Sequence, residues 1–328
     1  MTKSHTIKGG SAMRDKQQNK GIERRNFLKW GGASLLSLPF MSNTKMAFGA
    51  SINAWRKNYW QGPEGSEYCV HRTVDTSHVD SGYIRARVDG WWRRFQIREL
   101  DEYYWNWNFD ERMKRLVIQY EPEWDAVAGG PAQPFIATYG NRRGRGDSDF
   151  HLNNKVIYIS LAPKEEHIEE INNTMLDNLN NGISFTDALP WWIEIHEDRD
   201  LWCTDRQIGL EVFSKPGFET HNFLNLMENP VATMGHHAIY NNNISYEIRC
   251  INKIVHPNDP NLSDYERSLA LHPSIQFAWA HSYADPEFIY SIPGVIYHHV
   301  EEYNNSRAAE PGIRVVKRIG QKLKRFFA

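Results

Sequence analysis

Residues 156–162, VIYISLA, form an unbroken apolar run of strand length, and a helical pattern follows with no spacer between them. In PKEEHIEEINNTMLDNLNNG, Pro163 suits the first helical position and Glu165 and Glu166 suit the first turn. Ile168, Ile171, Met175, Leu176 and Leu179 recur at helical spacing as one apolar stripe, and Gly182 supplies a stop. A buried strand feeding straight into a one-sided helix needs a layered fold in which sheet and helix cover each other.

The remaining pattern decides which layered fold. EYCVHRTV and GYIRARV within 66–90 read as strands, as do 191–198 (WWIEIHED), 208–213 (IGLEVF), 245–255 (SYEIRCINKIV) and 294–303 (GVIYHHVEEY). In the aromatic-rich segment 91–109 the first half alternates like a strand. ETHNFLNLMEN (219–229) reads as a short helix, and Ser263-Asp264-Tyr265-Glu266 matches a capping box opening another before Pro273. Segment 128–150 is a turn-rich break where the periodicity changes. No regular strand–helix–strand alternation and no repeat emerges, so the expectation is an α+β fold: a mixed, mainly antiparallel sheet, several short helices and a basic amphipathic C-terminal helix. Residues 66–312 form the domain, with 128–150 as the place for any subdivision, after a linker at 50–65.

Four constellations could carry chemistry. On a strand over 191–198, the period of two puts Glu194, His196 and Asp198 on one face, an oxygen–nitrogen–oxygen set suited to a divalent metal. In Tyr297-His298-His299-Val300-Glu301-Glu302 the same period pairs His299 with Glu301, and His298 with Glu302 on the opposite face. Met234-Gly235-His236-His237 reads as a turn, and NRRGRGDSDF (141–150) as a basic loop able to hold an anion. The aromatics Tyr104, Trp105 and Trp107 suit either a stacked ligand or a core. No HExxH, GxSxG or P-loop spacing is present. The sharpest enzymatic reading is a divalent transition metal held by His196, Glu194 and His299, with Asp198 and Glu301 as catalytic carboxylates, in an oxidoreductase ahead of a hydrolase. The rival is a non-catalytic partner or ligand-binding subunit of a larger complex.

ERRNFLKW at 23–30, before the modest apolar run to Met41, resembles a twin-arginine (Tat) signal peptide: Arg24, Arg25, Phe27, Leu28 and Lys29 match its pattern, and Glu23 stands where Ser or Thr is usual. The resemblance covers residues 1–49, with Met1 or Met13 as the start, and says nothing of the fold beyond. It implies passage through the Tat translocase in folded form, cleavage after about Gly49, and a periplasmic or extracellular destination. Such passengers often carry a cofactor or travel with a partner that does.

No later stretch approaches the roughly 18 apolar residues of a membrane span. The mature cysteines, Cys69, Cys203 and Cys250, lack CxxC spacing and permit one disulfide whose pairing the sequence leaves open. The signal holds nine Lys and Arg against two Asp and Glu, which leaves the mature chain at about −9. Residues 313–328 hold six basic side chains and no acidic one, so the body before them stands at about −15, which speaks against nucleic-acid binding by the body. As a helix, that tail places Val316, Ile319 and Leu323 on one stripe inside a basic surround, suited to an anionic membrane surface or an acidic partner protein.

Overall fold

The computed structural model describes residues 59–118, 130–140, 151–211, 214–238, 244–281 and 285–305. The signal peptide, most of the 50–65 linker, the 141–150 loop and the 313–328 tail lie outside the described residues. Short β1 (Trp60–Gln61) and β2 (Tyr68–Cys69) pair with each other, so the end of the expected linker belongs to the domain. The chain continues through β3 (Val74–Asp75), β4 (Tyr83–Val88), β5 (Trp91–Gln96) and helix α1 (Glu102–Ile118). β6 (Phe135–Tyr139), β7 (Leu152–Val156), β8 (Ile159–Pro163), α2 (Glu165–Asn180) and α3 (Leu189–Glu197) follow. Next are β9 (Trp202–Leu210), α4 (His221–Glu228), β10 (Val231–Ala238), β11 (Ile244–Val255), α5 (Asp264–Ala280), α6 (Pro286–Ser291) and β12 (Gly294–Asn304).

Seven strands form one sheet in the order β7-β6-β10-β11-β12-β9-β8, with every neighbouring pair antiparallel. Strands β3, β4 and β5 form a second, three-stranded antiparallel sheet. The described fold is therefore α+β with mainly antiparallel sheets. On one face of the large sheet, Ile208, Val255 and Ile296 meet Ile168 of α2 and Leu269 of α5. On the same side of β11, Ile251 meets Ile84, Ala86 and Val88 from the small sheet. The opposite face receives α1 and α4, with Tyr104 reaching His236 and Thr138 bonding Asn222.

The helix expected after VIYISLA forms, with Ile168, Ile171, Met175 and Leu179 buried and Gly182 following it at φ +68°. Its boundaries differ from the sequence reading. The apolar run is split, since Val156 ends β7 and Ile159 opens β8, and Pro163 closes that strand while Lys164 precedes the helix. Across the split the Ile157 and Ile159 amides donate to the carbonyls of Pro134 and Ala132, and the chain passes from pairing with β6 to pairing with β9. There Gly209 on β9 permits close approach, because a Cβ would stand 2.9 Å from the Tyr158 carbonyl oxygen.

Three further differences have clear physical causes. Residues 191–198 are mostly helix α3, not a strand: Pro190 sits in its first turn, and Leu189, Trp192, Ile195 and His196 are buried at helical spacing. The Ser263–Glu266 capping box is present as expected, yet α5 runs through Pro273 instead of ending before it. Burial of Leu269, Ala270, Ile275, Ala278 and Trp279 offsets the roughly 3 kcal/mol that an interior proline costs. The turn-rich segment 128–150 contains β6, which pairs on both sides, and His236-His237 lie in strand β10 and not in a turn.

Candidate functional site

The structure scatters the expected metal ligands. His196 is buried in an aromatic box, its ring 4.7 Å from that of Trp192 and 5.0 Å from that of Trp202, and its Nδ1–H donates to the Trp192 carbonyl at 2.9 Å. Burial pushes its pKa down to about 3, and the Arg112 charge acts in the same direction. Glu194 lies on the exposed side of the helix, and Asp198 caps the short turn after it by accepting the Asp200 amide. His299 is on β12 against Trp105, and Glu301 pairs with Arg249 at 3.3 Å. Among the described residues no three His, Cys, Asp or Glu side chains converge as a metal-binding group. The three cysteines are free and buried, so none of the disulfides the sequence permits is formed.

A bulge explains the rearrangement on β12. Arg249 faces Glu301 and Cys250 faces His299, so Val300 is an extra residue in the strand. Strict alternation would separate His299 from Glu302. Past the bulge, Glu301 meets exposed Arg249, while Glu302 turns to the α1 side of the sheet with Cys250, Ile248 and His299. Val300 itself packs toward the small sheet, and the freed His299 carbonyl accepts the Arg98 amide at 2.9 Å.

Beneath α1 this produces a buried polar cluster. Tyr104, Asn108 and Arg112 follow one another at i, i+4 and i+8, a single stripe facing the sheet. Arg112 Nε donates to Asn108 Oδ1 at 2.7 Å, and its Nη2 donates to the carbonyls of Pro131 and Ile159. Asn108 in turn donates to the Tyr104 hydroxyl at 2.9 Å. Because His236 Nδ1–H is committed to the Gly130 carbonyl, the one hydroxyl proton of Tyr104 is shared between His236 Nε2 at 3.0 Å and Gln207 Oε1 at 3.2 Å. Burial lowers the His236 pKa to about 3 and raises that of Tyr104, so both are neutral at ordinary pH.

At the entrance to α1, the Asp101 carboxylate accepts the Tyr104 amide at 2.7 Å, and the Asp101 amide donates to Glu302 Oε2 at 3.0 Å. Burial first, and the Asp101 charge second, push the Glu302 pKa up to about 8. Asp101, Gln207 and Arg112 are not among the residues expected from the sequence. The i, i+4, i+8 spacing of Tyr104, Asn108 and Arg112 was the available signal. Chemically this cluster is closed to solvent, and most of its bonds are spent on fastening α1 to the sheet.

The outer face of the small sheet is built the opposite way. Its hairpin turns at Asp89 and Gly90 with φ of +52° and +84°, the two left-handed positions of a type I′ turn. Cross-strand pairing sets Arg85 opposite Arg94 and Arg87 opposite Trp92 on the outward side. The Arg94 guanidinium lies 3.6 Å over the Tyr83 ring, and that of Arg85 lies 5.6 Å from Trp92. On this side Trp92 is 47% exposed, and Trp91, opposite Val88 on the other side at the hairpin end, is 72% exposed, although such side chains are normally covered. β5 is also the last strand of its sheet among the described residues. Strands β4 and β5 hold four arginines and no acidic residue, in a body that is strongly acidic as a whole. Compared with known protein families, with curated proteins and with solved structures, the chain matches none.

Proposed function

We propose that the chain is exported folded through the Tat system and works outside the cytoplasm as a non-catalytic binding or partner subunit, whose contact surface is the arginine–aromatic face of the small sheet. The observation that carries this reading is the placement of Arg94 over the half-buried Tyr83 ring and of Arg85 beside the exposed Trp92 ring, across two strands that hold no carboxylate. A guanidinium stacked on a ring can still present its N–H edge to an anionic group, as Arg85 does to Asp75 at 3.4 Å, while tryptophan and arginine together are the side chains that dominate binding surfaces. The interior polar groups support the same reading, because Tyr104, Asn108, Arg112 and His236 are engaged with one another and with backbone carbonyls. The metal-enzyme reading loses its scaffold with the helix at 189–197, which turns His196 inward and Glu194 outward.

The test expresses the full chain with its signal and compares it with an Arg85→Glu, Arg94→Glu variant and an Arg24→Lys, Arg25→Lys variant. The unaltered chain should leave the cytoplasm and migrate in a salt-sensitive assembly. The hairpin variant should be exported and run free, and the signal variant should stay inside. Export that ignores the twin arginines, or identical free migration of the wild type and the hairpin variant, overturns the proposal.

A further inference from the structure

We infer that the β4–β5 hairpin docks on an anionic phospholipid surface. The inference rests on the reading that this face is the chain's contact surface, and names what it contacts.

The exposed apolar side chains are not spread evenly. Tyr139 donates its hydroxyl to Asp89 at the hairpin turn at 3.2 Å, and the register sets Leu152, 67% exposed, directly opposite Tyr139. Trp91 lies two residues beyond Asp89 at the same turn, so the exposed Trp91, Tyr139 and Leu152 gather about this end of the hairpin. The Asp89 amide donates to Asn229 Oδ1, which ties the turn to the body. A rigid aromatic edge beside cations matches the layered chemistry of a bilayer interface, where rings settle at headgroup depth and guanidinium groups meet phosphate.

Charge supports the same orientation. An acidic body is repelled by an anionic leaflet, and the outer side of β4 and β5, where Arg87 and Arg94 stand beside the Arg85–Asp75 ion pair, offers a pose that lessens that repulsion. The tail at 313–328, with six basic residues, adds the second signal that stable peripheral attachment requires. A protein partner would be expected to find a recess for Trp91 or Trp92 to complete, whereas both rings stand on an open strand.

The exported chain, purified from the periplasm, is sedimented with vesicles of phosphatidylcholine alone and of phosphatidylcholine mixed with phosphatidylglycerol, at low and high salt. Binding is expected to the mixed vesicles only, weakening as salt rises. Arg85→Glu with Arg94→Glu should reduce partition by at least about tenfold. Trp91→Ser with Trp92→Ser, which leaves every charge in place, should reduce it as well. Circular dichroism and melting of each variant establish that it is folded. Absence of sedimentation with the mixed vesicles overturns the inference; if the arginine variant still dissolves the native assembly, the contact is an acidic protein and the binding-subunit reading stands. Sedimentation that both hairpin variants retain and that Lys317→Glu with Arg318→Glu abolishes assigns docking to the tail and also overturns it.

Discussion

Glu302 and Asp101 meet backbone to side chain: the Asp101 amide donates to Glu302 Oε2 at 3.0 Å, at the point where the chain leaves the small sheet and enters α1. Glu302 Oε1 has no hydrogen-bond partner among the described residues, and the Asp101 carboxylate lies close enough to oppose a second charge.

That relationship gives stability an alkaline slope. The folded-state pKa of Glu302, about 8, lies above its value of 4.5 in the unfolded chain. Between those values the unfolded chain has already released the proton and the folded chain has not, so stability falls as pH rises toward 8. Glu302→Gln should flatten the slope and gain on the order of 1–3 kcal/mol at pH 8. Melting temperature measured from pH 6.5 to 8.5 on both proteins checks this, and parallel curves would show that Glu302 ionises freely in the fold.

Buried histidines set the acid limb. Burial holds His71, His196, His236, His272 and His298 at pKa values of about 3, and His256 and His299 at about 4. Each lies below the unfolded value of 6.5, so the unfolded chain takes up protons first and stability is lost as pH falls below about 6.5. The expected result is a steady fall in denaturation midpoint between pH 6.5 and 4.5. A flat midpoint over that interval would mean these rings are solvated.

His196→Ala should destabilise by about 2–4 kcal/mol, since it empties a space between Trp192 and Trp202 and removes the bond to the Trp192 carbonyl. An exposed metal ligand would behave otherwise, leaving the fold intact when removed. Urea denaturation distinguishes the two.

Glu266 does two jobs. It completes the capping box with Ser263, and its Oε1 accepts from Lys253 at 2.6 Å and from Thr76 at 2.9 Å, linking α5 to β11 and to the turn after β3. Ser263→Ala should cost about 1 kcal/mol. Glu266→Ala should cost more, about 2–3 kcal/mol, because Lys253 is left mostly buried without its carboxylate. Equal losses in chemical denaturation would show that only the cap matters.

Much of the scaffold is legible in local chemistry. The α2 stripe, the Ser263 cap and the long β11 and β12 strands each follow from a pattern that neighbouring residues reinforce. WWIEIHED is different. Its apolar positions fit both a period of two and a helical turn, and over so short a run the choice falls to Pro190 and to the tertiary site that buries Trp192. The site residues were less legible still, because the bulge that brings Glu302 to Asp101 leaves no local mark in sequence. The arginine–tryptophan face was half visible: alternation in WWRRFQ indicated a strand, while exposure of both tryptophans depends on where the small sheet ends.

Val300 acts as a one-residue phase shift. Everything after it in β12 owes its inward or outward direction to that extra residue, and Glu302 and Asn304 point inward only because the count is odd there. Were the strand to run straight with all its residues kept, strict alternation would turn Glu302 and Asn304 to solvent and send Tyr303 into the space under α1, whereas deleting Val300 would remove the bulge and leave Glu302 opposite Ile248. The direction of Glu302 and Asn304 is thus set by how β12 pairs with β11 around Val300, not by which side chain fills that position.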